Sequence, residues 1–185
     1  MHRLAKPRFT LAAVTSDGNA TWPGEAVFCA DCGARLKRAL LYSRERGVCP
    51  DCGRIDFRSP SVAVAVVLRD PEGRILMVKR GPGSSRSGLW SIPAGYMDYG
   101  EDVREAGARE VLEETGLVVQ VGDPIFVATN FHDPLKVSVC IWFSGRVVGG
   151  RLEAGSDAVD TGWFALDDMP DLAFDTDADL FRQIR

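Results

Sequence analysis

Two groups of side chains in this 185-residue chain have the types and spacing of working chemistry. Glu110, Glu113 and Glu114 stand at i, i+3 and i+4, which on a helix places three carboxylates on one face within a single turn. Unneutralised they repel one another, so the cluster suits hard divalent cations that prefer oxygen, such as Mg2+ or Mn2+. The competing reading is a solvated acidic face paired with nearby bases, for example Glu105 with Arg109 at i+4. Cys29, Cys32, Cys49 and Cys52 form the second group, C-x2-C-x16-C-x2-C, each pair followed directly by a glycine that permits a tight knuckle. Four thiolates so spaced converge on one zinc ion, which is structural because no coordination position stays open. Disulfides are the alternative and need an oxidising compartment; redox-active C-x-x-C is another, and two copies at ribbon spacing fit it poorly. Cys140, in the apolar run Val137–Phe143, reads as a buried small hydrophobe.

The acids require a helix with firm ends. Asp102 with Glu105 three positions later reads as a capping box and Gly116 as a left-handed stop, so a helix is predicted over residues 103–115. On it Ala106 and Gly107 leave room beside the acidic face, while Val103, Val111 and Leu112 turn to the core. Upstream, Val62–Leu68 and Ile75–Val78 read as strands closed into a hairpin by Pro71 and Gly73. Between the cysteine pairs, Leu36–Tyr42 reads as a short strand or hairpin arm. The six aspartates from Asp167 to Asp179 read as capping a final helix that ends in Leu180, Phe181 and Ile184.

Composition supports a two-part chain. Residues 1–58 hold 10 Lys/Arg against 6 Asp/Glu and residues 59–185 hold 12 against 20, so two units of different chemistry are expected. We place a lead-in at 1–24, a zinc ribbon at 25–58 and a catalytic domain at 59–185. The net charge of −4 argues against a dedicated nucleic-acid binder covered in positive charge. No apolar run approaches the roughly 18 residues of a membrane-spanning helix, and Phe9–Val14 is shorter than most secretory-signal cores. A soluble, cytoplasmic chain without membrane contact is the expectation.

Gly95 to Leu117 resembles, position for position, the Nudix box G-x5-E-x7-R-E-U-x-E-E-x-G-U, where U is aliphatic. The likeness extends from about Val62 to the C-terminus through Leu89–Ala94 and the late Trp163–Pro170, and the ribbon resembles that of the NADH pyrophosphatase branch and of a related ADP-ribose or FAD pyrophosphatase branch. It implies an α/β/α Nudix sandwich with a mixed sheet. It also implies a Mg2+- or Mn2+-dependent hydrolase that cleaves the diphosphate of a nucleoside diphosphate linked to another moiety and releases a nucleoside monophosphate. Carried onto this chain, Glu110 and Glu114 are the main metal ligands and Glu113 a further ligand or water-holder. The Ala94 carbonyl is another ligand, Arg109 orients the glutamates, and Glu101 ties the loop to the helix. Ribbon-bearing relatives place a further acid a few residues before the late Trp; here Asp160 matches, with Asp157 and Glu153 as alternatives.

Substrate identity is less legible. The NADH-branch tag after the box is absent, which weakens NADH and leaves ADP-ribose or a dinucleotide such as FAD in front. Tyr96 and Tyr99, in the loop beside the metals, are candidates to stack on a base, and Arg80 and Arg86 flank a Gly-Pro-Gly-Ser-Ser loop able to meet phosphates. His132 and Asp133 are further candidates, against the reading of a structural histidine. NADH pyrophosphatase and a non-hydrolytic module that senses a nucleotide or binds RNA or protein stand as alternatives. Homodimerisation, common among the relatives the resemblance implies, stays open.

Overall fold

The computed structural model describes residues 26–133 and 135–184; the lead-in at 1–24 lies outside them. The chain divides between Ser59 and Pro60 into two compact units. In the first, β1 (Lys37–Leu41), β2 (Arg44–Val48) and β3 (Ile55–Asp56) form an antiparallel sheet in the order β1-β2-β3. Tyr42 and Ser43 close β1 onto β2 with φ of 53° and 62°, the left-handed pair that matches strand twist. The cysteine knuckles bracket this sheet, each closed by a backbone bond: Gly33 N–H to Cys29 O at 2.9 Å and Gly53 N–H to Cys49 O at 3.1 Å.

The second unit is organised by β4 (Ser61–Leu68), whose alternate side chains are buried on both faces. Ala63, Ala65 and Val67 pack with Met77, Trp142, Leu180 and Phe181. Val66 and Leu68 pack with Leu76, Val111 and Val119, and Val64 packs with Ala106 and Phe143. A strand without a polar face must be covered twice, and a helix lies on each side: α1 (Val103–Thr115) supplies Ala106 and Val111, α2 (Asp175–Gln183) supplies Leu180 and Phe181. The remaining strands are β5 (Ile75–Arg80), β6 (Trp90–Ser91), β7 (Ala94–Tyr96), β8 (Leu117–Asn130), β9 (Ser138–Gly150) and β10 (Ala158–Phe164). One sheet runs β7-β4-β9-β8, with β4 and β9 parallel and the other pairs antiparallel; the other runs β10-β5-β6. This is the expected α/β/α sandwich.

Three sequence expectations are corrected. The Asp70–Arg74 turn forms, with Asp70 N–H to Arg74 O at 3.0 Å, yet it does not close a hairpin. After a single Arg69–Ile75 bridge the strands part, β4 to β7 and β9, β5 to β6 and β10, because each needs its own neighbours to satisfy a ladder buried on both sides. Leu112 lies outside the core at 50% exposure, one residue round the helix from buried Val111. The acidic tail supplies no cap: Phe174 stands at the N-cap of α2 and makes no side-chain capping bond. One of its aspartates instead turns inward.

That residue is Asp177, buried at 3% exposure. Its Oδ1 accepts from Trp142 Nε1 at 3.0 Å and its Oδ2 from Ile92 N–H at 3.4 Å, tying α2 to β9 and to the segment before β7. Burial pushes its carboxyl up to about 7, only partly offset by the Trp142 bond. A folded-state value above the unfolded one means that the folded chain holds the extra proton, so this contribution is complete at low pH and lost as pH rises towards 7. Asp177→Asn removes the charge and retains an acceptor for Trp142. Relative to wild type it is expected to gain on the order of 3 kcal/mol in urea unfolding between pH 4 and pH 8. Parallel stability curves for the two proteins would contradict this assignment.

Candidate active site

Each wall of the site has a local cause. Asp102 starts α1 by accepting from Arg104 N–H at 2.8 Å, and Gly116 ends it at φ 68°, a conformation that disfavours side chains bearing a Cβ. Between these ends the glutamates sit where their spacing predicts. β7 lies antiparallel to β4, with Val64 opposite Gly95 and Ala65 opposite Ala94, which carries Gly95 beneath the helix. A Cβ built on Gly95 would fall against the Glu110 carboxylate, so any other residue there must push Glu110 aside. Past the helix, Glu153 N–H bonds Thr115 O at 2.9 Å and Gly155 N–H bonds Glu114 O at 3.1 Å. This latch brings the turn carrying Asp157 to the C-terminal end of α1.

Arg109 braces the cluster. Its guanidinium forks onto Glu101 at 2.8 and 3.0 Å, reaches Glu110 Oε1 at 2.7 Å and Glu113 Oε2 at 3.3 Å, and donates to Tyr96 O at 3.1 Å. It therefore does not make the simple i+4 pair with Glu105. The Arg109 bonds, aided by Asp98 N–H, hold the Glu101 carboxyl down to about 2, so Glu101 stays ionised as a fixed post for Arg109.

Glu110 and Glu114 have the opposite environment. Burial pushes Glu114 up to about 8, against the bond it accepts from Ala94 N–H at 3.0 Å; Asp157 and Glu110 push it further the same way. Burial likewise raises Glu110, with Arg109 opposing and Glu113 and Asp157 assisting. Carboxyl groups crowded this way in a half-closed space ionise more readily when a cation is present to take up their charge. They line a cavity of about 430 Å³ together with Asp157, Ala94 and Gly95. This hard-oxygen donor set, with one wall shaped to Gly95, fits a divalent cation. Glu113 is exposed and lies outside the cavity lining.

The cavity lining also contains Arg80, Asn130, His132, Phe174 and Thr176. The His132 and Phe174 rings pack 4.9 Å apart, Arg80 lies over Phe174 at 5.3 Å, and Thr176 Oγ1 bonds Asn130 Oδ1 at 2.7 Å. Burial lowers the His132 pKa, with nearby Arg86 acting the same way. Phe174 and Asp177 were not found by sequence reasoning, because the six-aspartate stretch reads as a helix cap.

In the first unit the four cysteines are all free thiols, and their sulfurs lie within 4.8 Å of one another. Cys29–Cys52, Cys32–Cys49 and Cys32–Cys52 stand at 3.6, 3.4 and 3.7 Å. Sulfurs tetrahedral about zinc at roughly 2.3 Å are about 3.8 Å apart, so the set fits that ion. Cys52 N–H donates to the Cys49 sulfur at 3.5 Å and holds that thiol down to about 7. Among the described residues these cysteines are the one set of three or more His, Cys, Asp or Glu side chains gathered this tightly.

Comparison with known proteins places this geometry. The NUDIX domain model matches residues 59–184, covering the cavity and the braced helix. The chain belongs to the NUDIX family. It is 38% identical over 120 residues to the ADP-ribose pyrophosphatase of Methanocaldococcus jannaschii, covering 64% of this chain and 70% of that protein. It is 30% identical over 157 residues to the NAD-capped RNA hydrolase NudC of Stutzerimonas stutzeri, a match that takes in 82% of this chain but spans only about half, 52%, of that relative. Among solved structures, a Nudix hydrolase from Nitrosomonas europaea superposes with a TM-score of 0.74 at 25% identity, covering 85% of this chain and 89% of that one.

Against the Nudix box, the remaining candidates divide. Tyr96 lines the cavity, with Lys136 Nζ 3.8 Å above its ring, whereas Tyr99 is fully exposed outside it. Arg80 lines the cavity and Arg86 does not. Asp160 is exposed and its Oδ1 accepts from Thr161 N–H at 2.9 Å; Asp157, three residues earlier, is the acid that reaches the cavity. Asp157 lies just before β10, whose pairing with β5 is irregular between Ala158 and Asp160. No helix among the described residues is long and apolar enough to cross a membrane.

Proposed function

We propose that this chain is a Mg2+- or Mn2+-dependent hydrolase of the diphosphate in a nucleoside diphosphate joined to a second group, with ADP-ribose as its leading substrate. The observation that carries the reading is the set of Glu110, Glu114 and Asp157 facing one cavity while Arg109 and Glu101 fix the helix beside it. Glu110, Glu114, Asp157 and the Ala94 carbonyl hold the cation. When bound, that cation shields the charge of the diphosphate and lowers the pKa of water. Arg109 keeps Glu110 aimed into the cavity, Gly95 makes room for that carboxylate, and Arg80, which also lines the cavity, meets the phosphates. Water adds across the P–O–P bridge: one P–O bond forms, the bridging P–O bond breaks, and ADP-ribose yields AMP and ribose 5-phosphate. The cysteines hold a structural zinc ion that keeps the small unit folded.

ADP-ribose stands in front because the 38% identical relative is named for it and the NADH-branch tag is absent. A NAD-type dinucleotide is the second reading, favoured by the NudC match that runs through the ribbon. A panel of ADP-ribose, NADH, FAD and diadenosine polyphosphates, resolved by chromatography, decides between them. ADP-ribose cleaved fastest supports the proposal, and NADH cleaved fastest replaces it with the second reading. Gly95→Ala provides a test of the geometry: displacing Glu110 by about an ångström is expected to lower kcat/KM about 10²-fold with the circular dichroism unchanged. Undiminished turnover would mean that Glu110 is not held where it works.

A further inference from the structure

We propose that the small unit binds single-stranded nucleic acid in a groove across its sheet, independently of hydrolysis at the cavity. The groove encloses about 520 Å³ and is lined by the cations Arg35, Lys37, Arg38, Arg46 and Arg58 against only Glu45 and Asp56. Arg38 is already paired with Glu45 at 3.1 Å. Among the described residues no carboxylate lies within ion-pair distance of Arg35, Lys37, Arg46 or Arg58, in a chain whose net charge is −4. A positive stripe retained on an acidic protein is the footprint of a polyanion.

Charge alone would also suit a free phosphate, and the aromatic side chains decide for a polymer. Phe28 and Phe57 are 59% and 55% exposed, too far out of any core to be explained by packing. Each carries a groove cation on its face, Arg35 over Phe28 at 6.0 Å and Arg46 over Phe57 at 4.7 Å. Arginine beside an exposed ring offers a base a stacking platform and its phosphate a partner in one place. The Arg46 Nε is also buried without a hydrogen-bond partner among the described residues, a donor that lacks an acceptor on the groove wall. Two cation-and-ring pairs, Arg35 with Phe28 at an isolated bridge before β1 and Arg46 of β2 with Phe57 just past β3, suit phosphate and base together, so the occupant is a strand of nucleic acid rather than an acidic peptide.

Fluorescence anisotropy of a labelled 12-nucleotide oligouridylate with the full chain tests this, and the zinc content of every variant controls for folding. Binding is expected to weaken with added salt, with a log–log slope of about −2 to −3 for four cations on a single strand. Lys37→Glu with Arg46→Glu should weaken binding at least tenfold and flatten that slope by about 1.4, while hydrolysis of small nucleotides stays at the wild-type rate. Phe57→Ala should weaken binding about 5- to 100-fold with the slope unchanged. Three results would overturn the proposal: no anisotropy change at 50 µM protein in low salt, binding indifferent to the charge reversals, or self-association through Phe28 and Phe57 without binding of the oligonucleotide. None of these bears on the hydrolase reading, which the nucleotide panel tests separately.

Discussion

Glu114→Gln will lose turnover by at least about 10²–10³-fold while the protein remains folded. The substitution keeps an oxygen to accept the Ala94 N–H bond now made at 3.0 Å, so the contact between α1 and β7 survives. It removes a carboxyl that burial pushes up to about 8 and that would lose its proton to serve as an oxygen ligand for a divalent cation. Glu110→Gln is expected to behave similarly. Glu113→Gln should cost clearly less, since Glu113 is exposed and outside the cavity lining. Steady-state kinetics with Mg2+ titrated over each variant checks both the loss and its order. Equal losses at all three positions would show that the box glutamates act as a charged surface rather than as a built site.

The second large effect concerns the cysteines. Cys49→Ala should reduce bound zinc from one per chain to none in elemental analysis under reducing conditions, and the small unit should lose its ordered sheet. Cys49 is the informative position because its sulfur is buried and receives the Cys52 N–H. Zinc sites of this kind contribute roughly 10–16 kcal/mol to the folding of the segments that carry them. A five-residue β1 and β2 with a two-residue β3 have little core to substitute for that contribution. A wild-type chain that purifies with no zinc and an ordered small unit would refute the assignment.

The helix and its acids were legible because their determinants are local. The cap at Asp102, the left-handed stop at Gly116 and the spacing of Glu110 to Glu114 lie within fifteen residues and appear in the structure, with Asp102 capping Arg104 N–H rather than closing a box with Glu105. The cysteine cluster was legible for the same reason. What was not legible depends on distant pairing. The turn after β4 gives no sign that β4 and β5 separate, since both strands are apolar on each face and pattern alone does not name a neighbour. Spacing before the late Trp named Asp160 with Asp157 and Glu153 as alternatives, and only the fold shows that Asp157 is the one lining the cavity. Asp177 was hidden among six aspartates, and only the fold shows that Trp142, thirty-five residues away, requires its oxygen.

The most direct test of the account is the incubation of the purified chain with ADP-ribose and Mg2+, followed by separation of the products beside a chelator control and the Glu114→Gln variant. AMP and ribose 5-phosphate are expected in equal amounts from the wild type, abolished by the chelator and nearly so by the substitution. Folded, zinc-loaded wild type that releases no nucleoside monophosphate from ADP-ribose, NADH or FAD with either Mg2+ or Mn2+ would contradict it.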